Sequence, residues 1–403
     1  MDDLKIVLES LGPLQTAEKK IQSALPAGFT PERVFCLGKA ARALAAAASR
    51  LVPGVEGLIY EPAEARPLPL PPGWLSLAGR HPLPGIENVA ASRRVEEWFK
   101  RGKGPVLALV SGGGSSLLAD PAPPWSLEEM TSLERRLLES GAGIDQINAV
   151  RVRLSLPRGG GLRMCLRGGP VFTGVWSDVA RNSWKLTSSA PTLAVPGLPE
   201  AGAVLRELGL GPPRELPAKE VLLQGRKGDR SARLSDSKSL QQEVGTHLRS
   251  RGYKVAFHAV EEGTAPDAAA ASLRRILEEL PASERWAIVG GGETTVRLRP
   301  GKAAGRGGRC SHLAASVALE LRGLPAWCFA ALATDGMDGG GGGGAFVSAG
   351  KAPPEKPLKV AAASFDTASL FEDWGGALPR RPTGDNRRDL WVLLKHGASR
   401  YME

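Results

Sequence analysis

The chain has 403 residues, 42% of them hydrophobic and 23% charged, with a formal net charge of +10. That length predicts two or three domains, each large enough for its own core, and the composition is that of an ordinary soluble globular protein. No run approaches the roughly 20 apolar residues that a membrane-spanning helix needs. The opening Met1-Asp2-Asp3-Leu4-Lys5 lacks the basic start and apolar core of a secretory signal, so a cytoplasmic location is expected. Arginines outnumber lysines 36 to 16, but they are scattered and accompanied by only three tyrosines, which argues against a nucleic-acid surface. The arginine, proline and alanine usage fits a GC-rich genome or a thermophilic source. Cys36, Cys165, Cys310 and Cys328 form no C-x-x-C pair, so buried inert thiols are expected, with no zinc site or disulfide framework.

In chain order, an amphipathic opening segment (Leu4, Ile6, Val7, Leu11, then Ile21) reads as a helix before a first strand at Val34–Leu37. An alanine-rich helix follows from Ala40 to Ala48, then a short strand near Leu58-Ile59, a Pro-rich connector at 62–84 and a helix at 87–100. The strand at 105–110, a helix from Leu127 to Ser140 and a strand ending at Trp176 continue the alternation. The polar, Pro- and Arg-rich stretch 211–238 reads as a linker or hinge. A second unit follows: helix 239–252, strand 255–257, helix 266–280, strand 286–289, helix 311–322, strand 326–333 and a last strand at Leu390–Leu394. The prediction is two α/β domains, 1–225 and 226–403, with mostly parallel Rossmann-like sheets and a cleft between them. The segment 226–285 is left open between packing with the first domain and with the second.

A single pattern occurs twice. The apolar run 104–110 breaks into Ser111-Gly112-Gly113-Gly114-Ser115-Ser116, and Trp286–Val289 breaks into Gly290-Gly291-Gly292-Glu293-Thr294-Thr295. Glycines let backbone approach a ligand closely, and amides exposed at a turn or helix start form an anion nest. Further polar clusters stand where strands should end. Lys39 follows Gly38, Asn148 and Arg151 lie together, and Asp178 follows Ser177. Arg306 and Arg309 sit on a glycine-rich backbone suited to oxyanions, and Asp335 and Asp338 supply carboxylates. Gly339–Gly344 are six consecutive glycines, read either as a flexible surface loop or as a ligand-facing one. Neither a Walker A motif nor a dinucleotide Gly-x-Gly-x-x-Gly fingerprint after a strand is present.

Taken in order, these strings resemble the class II glycerate kinase family, whose C-terminal region is the MOFRL domain. They are Gly38–Ala41, Gly79–Pro84, Ser111–Leu118, Ile147–Arg151 with Leu154-Ser155, Ser177–Val179, Gly291–Val296, Gly305–Arg309 and Thr334–Asp338. The resemblance implies ATP- and Mg²⁺-dependent phosphorylation of D-glycerate to 2-phosphoglycerate, by a monomer or homodimer with no nucleic-acid or membrane partner. For that reaction the residues' own chemistry makes Lys39, Arg309 and Asp178 the expected catalytic groups, and Arg306, Arg309, Asn148 and Arg151 the expected partners of the acid. The nucleotide phosphates fall to Ser111–Ser116 and Gly291–Thr295, and the metal to Asp335 and Asp338 by way of Mg-ATP.

The chain departs from the family pattern at Ala180-Arg181-Asn182, Ser189-Ala190-Pro191-Thr192, Cys310-Ser311-His312, the glycine run, and Thr383-Gly384-Asp385-Asn386. At these places the family usually has Gly-Asp, Ser-Gly-Pro-Thr, Asn-Gln-Glu, Pro-Thr-Asp-Ala-Ala-Gly and Thr-Gly-Thr-Asn. These departures keep open a non-catalytic relative that binds a sugar acid or nucleotide; a hydroxypyruvate reductase, a label the family has sometimes carried, is the other alternative, though its dinucleotide fingerprint is not seen.

Overall fold

The computed structural model describes residues 16–65, 67–179, 181–261, 263–297 and 305–397. The chain divides into two compact units between Asp236 and Ser237. The first half of the predicted opening helix lies outside the described residues; its second half is α1 (Ala17–Ala24).

The first unit is built on six described strands: β1 (Arg33–Leu37), β2 (Glu56–Pro62), β3 (Leu75–Gly79), β4 (Val106–Ser111), β5 (Val171–Trp176) and β6 (Arg230–Ser235). All neighbours are parallel, in the order β3-β2-β1-β4-β5-β6. Between strands run α2 (Ala41–Leu51), α3 (Ile86–Arg101), α4 (Gly114–Leu117), α5 (Leu127–Glu139), α6 (Ile144–Leu154), α7 (Gly161–Cys165) and α8 (Ala201–Glu207). The inner strands β1, β4 and β5 are buried along their whole length because each face of the sheet is covered there. Val34 and Cys36 on β1 pack with Ala41, Leu44 and Ala48 of α2 and Ile21 of α1. Phe35 and Leu37, on the opposite face, pack with Val95, Trp98 and Phe99 of α3. Phe99 is fully buried with ring centroids 5.3 Å from both Phe35 and Trp98. Truncating it to alanine would cost about 3–5 kcal/mol.

Two elements differ from expectation here. The Pro-rich connector 62–84 contains β3, an edge strand whose Leu75 and Ser76 are exposed, so burial leaves little apolar alternation to read. The stretch 211–238 is not a uniform linker, since its last part is β6, paired with β5. Its Arg230-Ser231-Ala232-Arg233 start is polar because it forms the other edge of the sheet.

The second unit carries β7 (Lys254–Ala259), β8 (Trp286–Gly292), β9 (Trp327–Ala333), β10 (Gly344–Ser348), β11 (Ala377–Leu378) and β12 (Asp389–Lys395). Its helices are α9 (Ser237–Ser250), α10 (Pro266–Glu279), α11 (Arg309–Glu320), α12 (Glu355–Ser364) and α13 (Thr367–Trp374). The sheet order is β11-β10-β9-β12-β8-β7. β7, β8 and β9 point one way, as a parallel α/β sheet requires, but β12 inserts antiparallel between β8 and β9, and β10 adds antiparallel at the edge of β9. The expected α/β unit is present, with β10 and β12 as the two strands that run against the common direction. Periodicity locates a buried strand such as Leu390–Leu394 but carries no information on its direction. Trp391 and Leu393 pack with α10 and α11, while Leu390, Val392 and Leu394 pack with α9.

Among the four cysteines, Cys36, Cys310 and Cys328 are buried and Cys165 is half-buried, all as free thiols. Burial pushes each of Cys36, Cys165 and Cys310 above the ordinary thiol range, which suits inert cysteines.

Candidate functional site

In the first unit the chain leaves β1 towards β2 and β3 on one side, and β4 to β6 build out on the other. The winding therefore reverses between β1 and β4, and open α/β sheets bind ligands beyond the carboxyl ends of the strands at such a reversal. Those two strand ends carry Gly38-Lys39 and Ser111-Gly112. The loops are bonded to each other: Lys39 N donates to the Gly112 carbonyl (2.9 Å) and Ala40 N to Ser111 Oγ (3.0 Å). Ser111 Oγ in turn donates to the Leu37 carbonyl (2.8 Å). Gly38 has φ +100°, and a Cβ there would lie 2.4 Å from the Ser111 carbonyl oxygen, so only glycine permits this approach. Gly113, at φ +88°, turns the chain into α4.

Residues far along the chain hold this turn. Ser188 Oγ accepts from Gly114 N (2.9 Å) and donates to the Ser111 carbonyl (2.6 Å), and the Ser115 and Ser189 hydroxyls are 2.9 Å apart. Ser116 Oγ donates to the Gly113 carbonyl (3.0 Å). Three of the serines expected to grip phosphate therefore brace the loop itself. Ser188, Ser189 and Ala190 all have left-handed backbone, with φ of 55°, 56° and 51°. Such strain costs on the order of 1 kcal/mol per residue and persists only where surroundings impose it. Here Gly159 N and Gly160 N bond the carbonyls of Ser189 and Ala190 at 2.9 and 2.7 Å.

Asn148 and Arg151 sit on α6, facing the interior. Asn148 is buried, and its Nδ2 donates to the Ile144 carbonyl (2.9 Å). Arg151 Nε lies 3.5 Å from Glu134, which also pairs with the wholly buried Arg158. Arg158 donates to the carbonyls of Leu118 (2.9 Å) and Ser115 (2.7 Å), so it clamps both ends of α4. Burial pulls Arg151 below the usual guanidinium range. Asp178 is half-buried just past β5, where the pairing with β6 slips at Val175/Trp176.

In the second unit, Gly290 lies against the Trp391 indole, where a Cβ would stand 1.9 Å from Nε1, and Gly292 has φ +125°. Glu293 follows, with Oε1 3.1 Å from Arg309 Nη2 and Oε2 3.8 Å from Arg388. Thr294 is buried and Thr295 exposed, its N donating to the Thr264 carbonyl (2.9 Å). Asp389, at the start of β12, takes Arg309 Nε at 3.1 Å and Nη2 at 3.4 Å. Burial pushes the Asp389 carboxyl up to about 7, with Glu293 and Asp338 adding to the rise and Arg309 opposing it.

Arg309 also lines a cavity of about 540 Å³ with Gly305, Gly307, Gly308, His312 and Phe365. The His312 and Phe365 rings stack with centroids 5.9 Å apart. Arg306 does not join it there. Its guanidinium forms a two-pronged pair with Glu372 (2.8 and 2.6 Å) on the surface of α13.

Asp338 is buried, with its two carboxylate oxygens accepting from Cys310 N (3.0 Å) and Ser311 N (2.8 Å), where it caps α11. Asp335 is half-buried, and its Oδ1 accepts from Met337 N (2.9 Å). Among the described residues no three His, Cys, Asp or Glu side chains gather as a metal cage would need.

The glycine run is a packed turn. Asp338 N donates to the Gly342 carbonyl (2.8 Å), Gly340 N to Gly307 (3.0 Å), Gly343 N to Leu378 (2.9 Å), and Ala333 N to Gly343 (3.0 Å). Gly344 opens β10 at φ +139°. The flexible-loop reading is thus corrected: the glycines are there because backbone stands where side chains would be. A Cβ at Gly339, Gly342 or Gly344 would come within 2.4 Å of a carbonyl oxygen. Thr383-Gly384-Asp385-Asn386 folds onto Thr334-Asp335, with Thr383 N bonded to the Asp335 carbonyl (3.2 Å). Asp385 there grips buried Arg387 from Nε (3.0 and 2.9 Å).

Sequence reasoning missed Asn88, Arg158, Ser188 and Asp389. Only Asp389 carried a usable signal, a lone acid opening an apolar run.

Comparison with known proteins agrees with this layout. Residues 7–220 match the model for a domain of unknown function, DUF4147, and residues 286–389 match the MOFRL family. A D-glycerate 2-kinase of Thermotoga maritima is 30% identical over 336 residues, covering 78% of each chain. An Agrobacterium vitis protein with a provisional hydroxypyruvate reductase name is 29% identical, covering 89% of this chain and 85% of that one. The crystal structure of a Thermotoga maritima glycerate kinase superposes with a TM-score of 0.82 at 24% identity, covering 98% of this chain and 99% of that one, a likeness of fold. With a DUF4147 region over its first half, a MOFRL region over its second and a relative that matches across both, the chain belongs to the glycerate kinase (MOFRL) family.

Proposed function

We propose that this protein transfers the γ-phosphoryl group of ATP to D-glycerate, giving 2-phosphoglycerate and ADP. The observation that carries the reading is the switch point of the first sheet, where Lys39 and the Gly112–Gly114 turn are bonded into one structure at the ends of β1 and β4. Phosphoryl transfer asks little covalent chemistry of a protein; it asks for alignment, charge neutralisation and exclusion of water. Lys39 brings a compact positive charge to the nest formed by the Gly113 turn and the start of α4. The acceptor hydroxyl oxygen bonds the γ-phosphorus as the bond to the β-phosphate oxygen breaks, and Lys39 offsets the charge that develops. Arg309, held by Asp389 and Glu293, supplies a fixed guanidinium for a carboxylate or phosphoryl oxygen. Arg306, engaged with Glu372, is the weaker candidate of the two.

Mg²⁺ would arrive on the nucleotide phosphates, since the acidic residues described do not form a cage of their own. The test is ADP release with D-glycerate and Mg-ATP, with mass spectrometry and phosphorus NMR of the product. A parallel arm with hydroxypyruvate and NADH addresses the activity named for the Agrobacterium vitis relative. ADP release without an acid-dependent product, or NADH consumption, would sink the proposal.

A further inference from the structure

The Gly79–Pro84 string has no role in the reading above, yet it is fixed with care. Asn88 of α3 is fully buried and makes four bonds of 3.0 Å. Its Oδ1 accepts from Arg80 N and Gly85 N, and its Nδ2 donates to the carbonyls of Arg80 and Ser116. One side-chain amide thus ties the turn after β3 to the end of the Ser111–Ser116 loop. Gly79 permits the approach: a Cβ there would stand 2.8 Å from both Asn88 Nδ2 and the Tyr60 hydroxyl.

The consequence is the position of His81. A Cβ built on Gly113 would lie 3.1 Å from Lys39 Cγ and 3.4 Å from His81 Cδ2 and Nε2. A lysine stem and an imidazole edge therefore both stand beside Gly113 at the apex of the nest. The other ring nitrogen, Nδ1, is 3.9 Å from Glu64 Oε1, and the His81 side chain is only 19% exposed. A carboxylate thus stands at ion-pair range of one ring nitrogen while the other faces the nest, an order suited to a base whose charged form the carboxylate stabilises. Lys39, as an ammonium, can only donate. Of Lys39 and His81, the imidazole alone can accept a proton.

Resting on the proposed phosphoryl transfer, we propose that His81 is the general base, oriented by Glu64. Nε2 takes the proton of the acceptor hydroxyl while that oxygen bonds the γ-phosphorus and the nucleoside diphosphate leaves. The imidazolium, stabilised by Glu64, then returns the proton to solvent. The charged groups near it include Lys39 on the loop after β1, Glu64 after β2, its chain neighbour Arg80 directly after β3, and Glu87 at the start of α3, 3.7 Å from Arg80.

His81→Asn is expected to lower kcat by about 100-fold or more, leave the KM for ATP within about threefold, and abolish the acidic limb of the pH–kcat profile, with partial rescue by added imidazole. Glu64→Gln should lower kcat less and move that limb to lower pH, since the imidazolium loses its neighbouring negative charge. A folded His81→Asn variant that keeps its kcat within about threefold and retains the limb overturns the proposal. A second measurement needs neither variant nor turnover: the 13Cε1 resonance of His81, one of five histidines and assigned through bonds. It should shift when D-glycerate is added with a non-hydrolysable ATP analogue, and an unmoved resonance at saturation overturns the proposal. If the wild type releases no ADP yet the resonance moves, the kinase reading fails while the His81 contact stands.

Discussion

Gly344 and Gly340 stand four residues apart in the same glycine run and should respond in opposite ways to alanine. At Gly344 the backbone has φ +139°, and a Cβ would lie 2.1 Å from the Ala331 carbonyl oxygen and 2.8 Å from Leu332 Cα. Neither neighbour can swing aside, because both belong to β9, paired in register with β10. The backbone strain costs about 1–3 kcal/mol, and the overlap roughly as much again. In a unit of this size each kcal/mol moves Tm by about 2–4 °C, so Gly344→Ala should lower the melting of the second unit by on the order of 10 °C. At Gly340 nothing lies nearer than 3.9 Å and the backbone is not left-handed, so alanine should be tolerated within about 0.5 kcal/mol. Circular dichroism melts of the two variants beside the wild type decide the matter. Equal melting of all three would mean that the run is a slack surface loop after all, and that its hydrogen bonds to Gly307 and Leu378 contribute nothing.

Lys39→Ala should lower kcat by roughly 100-fold or more with little change in Tm, because its half-exposed side chain contributes charge to the nest and not packing to the core; an unchanged kcat removes Lys39 from the mechanism. Arg309→Ala should raise the KM for D-glycerate more than that for ATP, while Arg306→Ala, which breaks only an exposed pair with Glu372, should do so far less; equal effects would restore the two arginines as a pair. Ala190→Gly should leave urea stability within about 1 kcal/mol, since relief of a left-handed alanine offsets the added backbone freedom; a larger loss would mean the Ser188–Ala190 turn is unstrained. Asp389→Asn should flatten the pH dependence of stability. With its folded pKa raised to about 7 from about 3.9 in the unfolded chain, Asp389 binds its proton more tightly when folded. Its contribution is therefore full below pH 4 and lost as pH rises to 7, at up to about 1.4 kcal/mol per pH unit. Parallel urea titrations of variant and wild type from pH 5 to 8 check the sign.

What could be read in advance follows from where the physical signal is local. A strand buried on both faces is an apolar run whatever its neighbours, so β1, β4, β5, β8, β9 and β12 stood out, as did the glycine loops that end two of them. β3 and β6 are edge strands with exposed polar positions, and β10 begins inside six glycines, so composition there suggests loop. Strand direction is set by connections through the whole unit, and nothing in Leu390–Leu394 distinguishes an antiparallel insertion from a parallel strand.

The candidate site divides along the same line. Residues proposed to present backbone or charge to a ligand sit on short motifs, because a nest needs consecutive amides and a lysine at its rim; Gly38-Lys39 and Gly112–Gly114 are the motifs so proposed. Residues that hold those motifs in place need only one polar group aimed from any direction. Asn88 reaches Ser116 from 28 positions away, Ser188 reaches Gly114 from 74, and Arg158 reaches Ser115 from 43. No spacing rule links such partners, so they surface only when the chain is folded. The same reasoning separates the acids. Asp338, conspicuous in a Thr-Asp-Gly-x-Asp string, caps a helix from within the core, whereas Asp389, unremarked at the head of an apolar strand, grips the arginine that lines the cavity. A carboxylate's role here is fixed by which amides or guanidinium reach it first, and that is a property of the fold.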